Sequence, residues 1–522
     1  MKKEVEAGML ARTRGMGICG IDAFPVEVEV DMARGLPTFT LVGLPDSSVR
    51  ESRERVLSAM GSVLDSLPGK RTTVNLAPAD RRKEGSGFDL AIAVGLLAAA
   101  GAVPVEAASR YVFVGELSLD GALRPVRGML SMAFGARSLE HSGLIVPAGS
   151  APEAALVGGQ DVLGARNLAE VASLLRGSAS IEPTKPDTDS ILRGRTDAEP
   201  DMSDVRGQEQ AKRALEVAAA GGHNILMIGP PGAGKTMLAR RFPGILPPLE
   251  SEEALETTRI HSVAGILPEG THIVRERPFR SPHHTVSDAG LVGGCTNPRP
   301  GEASLAHNGV LFLDELPEFR RSVLEVLRQP MEDGVVTISR ASSSVTFPAG
   351  FMLLAAMNPC PCGFLTDPRK ACICTGPQIQ GYLRKISGPL LDRIDIHIEV
   401  APVRYGDLSG RTPPGESSEA VRARVSEARR RQLARFGKGR KVFCNARMSS
   451  AQVRRFCTLG PTEAAFLRDA VERFGFSARA YDRILKLALT IADLGGEERI
   501  GAAHIAEAVQ YRALDRDFWQ NA

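Results

Sequence analysis

No stretch of this sequence reads as a membrane span. The longest apolar run, Leu90 to Val105, is rich in Ala and Gly and falls short of the roughly 20 residues a spanning helix needs. It reads instead as a buried helix. The N-terminus, MKKEVEAGMLARTRG, lacks the apolar centre of a secretory signal. Cysteine is scarce, 8 in 522 residues, and four of these fall between Cys360 and Cys374. That clustering speaks for a metal site rather than a disulfide framework. Charge of one sign is also lacking: the formal net charge is +3, so any polyanion-binding argument must rest on local clusters. Hydrophobic content of 43% and charged content of 24% are ordinary for globular protein. The length exceeds one core, so about three domains are expected. These absences predict a cytoplasmic protein with no membrane partner.

What is present centres on Gly229-Pro230-Pro231-Gly232-Ala233-Gly234-Lys235-Thr236. This segment fits the phosphate-loop pattern G-x-x-x-x-G-K-[ST] at every fixed position. Asn224 to Ile228 before it reads as a buried parallel strand, and Met237 to Phe242 after it as helix. Glycine lets the backbone curl so that N–H groups face phosphate oxygens, and the helix N-terminus adds its positive dipole end. Lys235 is expected to reach the β- and γ-phosphates of ATP, and Thr236 to ligate Mg²⁺. Val310-Leu311-Phe312-Leu313-Asp314-Glu315 reads as a buried strand ending in two acids. Asp314 would hold Mg²⁺ through water and Glu315 would orient the attacking water. The alternative is a strand end with solvent-facing acids. Phe351 to Met357 is a third buried strand, and Asn358 at its end is a candidate for bonding the water or the γ-phosphate.

Residues 1–175 read as a mixed domain of strands and helices. Lys83-Glu84-Gly85 before a helix, Val114-Gly115-Glu116-Leu117 followed by Asp120-Gly121, and a strand ending at Pro147 resemble the proteolytic domain of Lon. The Lon nucleophile position falls on or near Gly87, with Ser86 one residue off. The Lon lysine position falls on Leu130. A serine without a base is a poor nucleophile, so the resemblance implies a protease-shaped domain without the catalytic dyad. Arg81, Arg82 and Lys83 would touch phosphate or form a solvated loop. Residues 176–203, rich in Ser, Thr, Asp and Pro, are expected to form a flexible linker.

Residues 204–400 are then the nucleotide-binding core, and 401–522 a helical lid. Arg277 to Ser287, with His283-His284, and Gly301 to His307 resemble the magnesium-chelatase-like branch of AAA+ ATPases. With the Lon-like front domain and the cysteines, nearly the whole chain resembles the ComM/YifB family. The resemblance implies an α/β fold: an N-terminal α+β Lon-like domain, a central αβα AAA+ domain and a helical lid. It further implies a hexameric ring and a DNA helicase that drives branch migration as transforming DNA is integrated. Single-stranded or branched DNA and recombination proteins would be its partners. Asp204 to Gln208 would lie against adenine. Arg393 would be the finger extended into the neighbouring subunit's nucleotide, and Arg479, with Arg483 in reserve, the lid arginine that reaches the γ-phosphate.

Cys360, Cys362, Cys372 and Cys374 give C-x-C, nine residues, C-x-C. Four soft ligands on two turns suit tetrahedral Zn²⁺; reduced thiols, redox pairs and an iron–sulfur cluster are the alternatives. His283 and His284, taken as a strand, would point to opposite faces and serve structure or an interface. Val335 to Arg340 and Ser344 to Phe347 read as a hairpin, either pore-facing with Arg340 on a DNA phosphate or an ordinary surface ribbon. Glu419 to Lys441 is a basic helix that either faces DNA or is merely solvated. Two rival functions remain: a chelatase motor subunit that drives Mg²⁺ into a porphyrin, and an ATP-dependent protease.

Overall fold

The computed structural model describes residues 9–64, 69–186, 200–268, 270–294, 298–340, 343–402, 415–437 and 442–520. The chain divides into two compact units. The first comprises Met1–Gly194, Glu250–Arg275 and Ser339–Phe347; the second comprises Arg195–Leu249, Glu276–Ile338 and Pro348–Ala522. By order along the chain, residues 250–275 and 339–347 are expected in the nucleotide-binding core. Helix Ser251–Ala264 instead packs within the first unit, where Ser262 Oγ donates to the buried Glu153 carboxylate over 2.6 Å.

The first unit is built on a seven-stranded sheet. Its strands are β1 (Met9–Cys19), β2 (Asp22–Ala33), β3 (Thr38–Val42), β4 (Arg71–Ala77), β5 (Tyr111–Phe113), β6 (Gly143–Pro147) and β7 (Val162–Ala165), in the order β3-β4-β2-β1-β5-β6-β7. β1 and β2 are antiparallel, as are β2 and β4, whereas β5, β6 and β7 run parallel. The alternation expected from Pro25 to Val30 holds: Val26, Val28 and Val30 are fully buried between more exposed acids. Helix Asp89–Ala99 is buried on every side. It ends short of Val105, because the Gly101 turn breaks it and Pro104 precedes a separate short helix, Val105–Ser109. The expected loose linker begins later than residue 176. Thr184 N–H still donates to Val162 O of β7 at 2.8 Å, a backbone bond that fixes the segment against the sheet edge. Residues 187–199 of that linker lie outside the described residues.

The second unit holds a five-stranded, all-parallel sheet. Its strands are β8 (Ile225–Ile228), β9 (Phe279–Arg280), β10 (Val310–Leu313), β11 (Met352–Met357) and β12 (Ile396–Glu399), in the order β9-β10-β11-β8-β12. β8 and β10 are buried at every position. Both faces of a parallel sheet are covered by helices, which is why these strands read as unbroken apolar runs. Four long helices follow among the described residues: Ser418–Phe436, Pro461–Phe474, Ala478–Gly495 and Ala502–Gln520, with the short Ser450–Phe456 after the first of them. As expected, Pro461 stands in the first turn of Pro461–Phe474 and Ser477 caps Ala478–Gly495 through the Ala480 N–H.

Some of the charged groups in two basic stretches turn inward rather than outward. Lys83 is fully buried and its ammonium donates to Pro78 O, so it is neither a phosphate contact nor part of a solvated loop. On helix Ser418–Phe436, Arg424 bonds Glu216 and Glu416. Arg422 reaches Gly244 O at 3.0 Å and Arg429 reaches Ala219 O at 2.9 Å. These arginines fasten the helix to the nucleotide-binding core. Arg435 pairs with Asp493, and Arg430 and Arg431 pair with Glu427 on the same helix; Lys438, Arg440 and Lys441 lie outside the described residues.

Candidate functional site: a phosphate loop and its acids

The three central parallel strands deliver their C-terminal ends to one edge. β8 runs into the phosphate loop, β10 into Asp314 and Glu315, and β11 into Asn358. The loop needs glycine at specific points. Gly232 (φ 78°) and Gly234 (φ 92°) are left-handed, which other residues adopt only with strain. At Gly229 a Cβ would come within 2.3 Å of Val400 O, so a side chain there would force β8 and the end of β12 apart. Gln208 grips the loop from behind, donating to Ala233 O at 3.2 Å and Ala401 O at 2.6 Å.

Lys235 Nζ donates to Gly229 O (2.6 Å), Pro230 O (3.0 Å) and Asn358 Oδ1 (3.2 Å). Burial lowers its pKa, and the negative charges of Asp314 and Glu315 oppose that shift. Thr236 Oγ1 donates to Asp314 Oδ2 at 2.7 Å, and Asp314 Oδ1 accepts from the Glu315 N–H at 2.9 Å. The hydroxyl and carboxylate expected to share Mg²⁺ are therefore neighbours. These groups line a cleft of about 370 Å³ with Pro231, Met237 and Met357, within the range of small-ligand sites.

Glu315 has a left-handed backbone, φ 52°. Such a conformation costs a non-glycine residue on the order of 1–3 kcal/mol and is typical of functional turns. The His283-His284 pair departs from expectation. These residues are not in a strand; their rings lie against each other with centroids 4.1 Å apart. His284 Nδ1 stands 3.7 Å from Glu315 Oε2. Nothing in the local sequence marks this contact, because strand-like alternation separates adjacent side chains while the turn here brings them together.

Arg393 and Arg479 do not line the phosphate cleft of their own chain. Arg393 is 8% exposed, pairs with Glu332 and donates to Pro389 O at 2.7 Å. It lines a second cleft, of about 490 Å³, with Glu325, Arg328 and Glu332. Arg479 is exposed; the hydrogen bond and charge of Arg393, with smaller contributions from the charges of Arg479 and Arg483, hold the Glu332 carboxyl below its ordinary pKa. Arg483, the reserve candidate, is committed elsewhere: it bonds Asp395 Oδ1 at 2.6 Å.

Asp395 is the hub of a buried network. Its Oδ2 lies 3.1 Å from His223 Nδ1, and His223 Nε2 lies 2.9 Å from Thr490 Oγ1. Arg483 and His223 hold Asp395 well below the usual carboxylate range, against its burial. Asp395→Ala is expected to cost about 3–5 kcal/mol, because Arg483 would be left without its buried partner; urea unfolding measures it. Burial holds the pKa of His223 down. The folded chain thus takes up that proton at lower pH than the unfolded chain. Its contribution is present above the unfolded pKa of about 6.5 and is lost as pH falls from there through the folded value.

The four clustered cysteines come together. Cys360 Sγ is 3.4 Å from Cys362 Sγ and 3.6 Å from Cys372 Sγ. Cys362 and Cys372 are 3.6 Å apart, and all four sulfurs lie within 4.8 Å of one another. The backbone N–H groups of Phe364 and Ile373 bring the Cys362 thiol down to about 6. The site fits one tetrahedral metal, for which Zn–S bonds of about 2.3 Å give an S–S edge of about 3.8 Å.

In the first unit, the position matched to the Lon lysine, Leu130, is buried on helix Met129–Ala136, its N–H donating to Glu153 Oε1 at 3.0 Å. Ser86 Oγ donates to Glu116. Among the described residues no helix is long and apolar enough to cross a membrane.

A phosphate loop on a central parallel strand, with an acid pair on the neighbouring strand end, defines a P-loop nucleotide-binding protein. Family models agree on its branch. The model for magnesium chelatase, subunit ChlI, matches residues 201–408; that for subunit ChlI of Mg-chelatase matches 28–150, and the ChlI C-terminal model matches 415–512. The chain is 46% identical over 500 residues to the competence protein ComM of Haemophilus influenzae, covering 95% of this chain and 96% of that protein. It is 46% identical over 497 residues to the uncharacterized protein YifB of Escherichia coli, covering 95% and 96%. The uncharacterized protein Rv2897c of Mycobacterium tuberculosis is 43% identical over 506 residues, covering 96% and 98%. The magnesium-chelatase 67 kDa subunit of Chlorobaculum tepidum matches 30% of this chain at 30% identity. The chain belongs to the magnesium-chelatase-like AAA+ ATPases, in the family that contains ComM and YifB.

Proposed function

We propose that the chain is an ATP-driven motor that acts on branched or single-stranded DNA as a homo-oligomeric ring, hexameric by analogy, promoting branch migration during recombination of incoming DNA. The observation that carries this reading is the likeness to a competence protein over 95% of the chain, with the phosphate loop and its acids lining one cleft. Gly229 to Thr236 hold the triphosphate, and Thr236 and Asp314 hold Mg²⁺. Glu315 orients the water, and Asn358 bonds the water or γ-phosphate. Mg²⁺ supplies charge neutralisation on the phosphates when bound. Arg393 and Arg479 both act near Glu332 and stand apart from their own chain's cleft. Arg393 serves the nucleotide of a neighbouring subunit in the ring, and Arg479 is the lid arginine that reaches a γ-phosphate. The four cysteines hold Zn²⁺.

The test is ATP turnover with a three-strand DNA junction present, against turnover with protoporphyrin and chelatase partner subunits. Stimulation by DNA alone is expected. Stimulation by porphyrin alone would replace this reading with the chelatase one, which the family models favour. Against that second reading stands the 30% share of the chain matched to the Chlorobaculum subunits. The protease alternative has no base where a lysine is needed, since Leu130 is aliphatic and buried.

A further inference from the structure

The cysteine cluster sits at the end of the strand that carries Asn358. Cys360 follows Asn358 by one intervening residue, and Cys360 is itself buried in the core under β10 and β11. The other arm, Cys372 and Cys374, runs without a gap into Thr375. Thr375 caps helix Gly376–Leu383, its N–H donating to Gln378 Oε1 at 2.9 Å. That helix carries Tyr382, close enough to Asn358 that the Asn358 backbone N–H opposes the burial-driven rise of the tyrosine pKa. Asn358 thus adjoins one cysteine pair along the chain and the helix that the other pair leads into.

The first cysteine turn also abuts the phosphate loop. Gly363 is left-handed (φ 85°), and a Cβ there would stand 2.6 Å from Pro231 Cδ and 3.8 Å from Asn358 Cγ. Asn358 in turn accepts from Lys235 at 3.2 Å. The turn that joins Cys362 to the rest of the loop therefore touches both the phosphate-binding and the water-facing sides of the cleft.

We propose that a single metal ion, Zn²⁺ by the chemistry of its four thiolates, clamps Asn358 and Pro231 in the hydrolytic arrangement, so that ATP turnover depends on the loaded site. This rests on the reading of the cleft as an ATPase site. One ion suits the geometry better than a two-iron cluster. The ligands of two irons divide between two centres, whereas these sulfurs all lie within 4.8 Å of one another. Binding converts four mutually close thiols into ligands of one cation and closes the loop from Cys360 to Cys374. Without it, only packing and weak sulfur contacts hold the two arms together. Nucleotide affinity comes mainly from the phosphate loop and Lys235, and so survives metal loss. The alignment of the attacking water does not.

The experiment uses the full chain. Zinc is measured by plasma mass spectrometry on protein purified without chelator; about one ion per chain is expected. The double substitution Cys372→Ser with Cys374→Ser is expected to remove the metal and keep the far-ultraviolet circular dichroism. Turnover should fall about a hundredfold, as for a catalytic group displaced by an ångström. Wild-type protein stripped with a mercurial and chelator, then refilled with Zn²⁺, should lose and regain turnover, which separates the clamp from misfolding. Gly363→Ala should retain zinc and still lose turnover, because its Cβ drives against Pro231. Amide exchange gives a readout independent of activity: metal removal should speed exchange at Asn358 and the phosphate loop. Full turnover in stripped protein, unchanged exchange there, no metal on the purified chain, or an iron–sulfur chromophore would each overturn the proposal. A zinc-loaded chain that never hydrolyses ATP would instead sink the ATPase reading, and the exchange measurement would still decide the clamp.

Discussion

Glu315→Gln is expected to bind ATP as the wild type does and to hydrolyse it about 10²–10⁴-fold more slowly, the usual loss when a positioned base is removed. The substitution keeps the shape of the side chain and removes the charge proposed to orient the water. Asp314 and Thr236, hydrogen-bonded at 2.7 Å and proposed to hold Mg²⁺, are untouched. Fluorescent-nucleotide titration and phosphate release separate the two effects. The pair with His284 adds a finer expectation. His284→Ala should lower turnover by less than Glu315→Gln, since the ring stands 3.7 Å from one carboxylate oxygen and orients the acid rather than replacing it. Wild-type turnover in the glutamine variant would remove Glu315 from the mechanism.

Lys235→Ala is expected to abolish nucleotide binding at ordinary concentrations. The ammonium is buried beside backbone carbonyls and Asn358, and its pKa is lowered by that burial. Triphosphate oxygens are stronger acceptors than the carbonyls it now contacts. Losing charge-assisted hydrogen bonds to phosphate costs about 3 kcal/mol, or about a hundredfold in affinity. Isothermal titration with ATP and Mg²⁺ measures this. Retained affinity would mean that the glycine-rich backbone alone holds the nucleotide.

Much of this site was legible because its chemistry is local in sequence. The loop glycines, Lys235 and Thr236 lie within one octapeptide, and each acid follows a strand whose apolar run is unbroken. The cysteines were legible for the same reason, although the approach of Gly363 to Pro231 was not. That approach depends on the left-handed turn at Gly363, and no spacing rule places a turn against a loop some 130 residues earlier. The pairing of Arg393 with Glu332, and the commitment of Arg483 to Asp395 rather than to phosphate, were likewise invisible. Arginine reads the same in a sequence whether it meets a carboxylate or a nucleotide. The basic helix misled in the other direction. Charge density suggests solvent or DNA, yet Arg422, Arg424 and Arg429 spend their guanidinium groups on buried carbonyls and Glu216. Helix Ser251–Ala264 could not be assigned from order along the chain, since its partners in the first unit lie more than 100 residues upstream.

The most direct measurement is branch migration of a labelled three-strand DNA junction, followed by gel with wild-type protein and with Glu315→Gln. ATP-dependent strand exchange by the wild type, absent with the variant and absent without nucleotide, is the predicted result. A wild-type protein that hydrolyses ATP but leaves the junction in place, at any ratio of protein to DNA, would contradict the DNA-motor account.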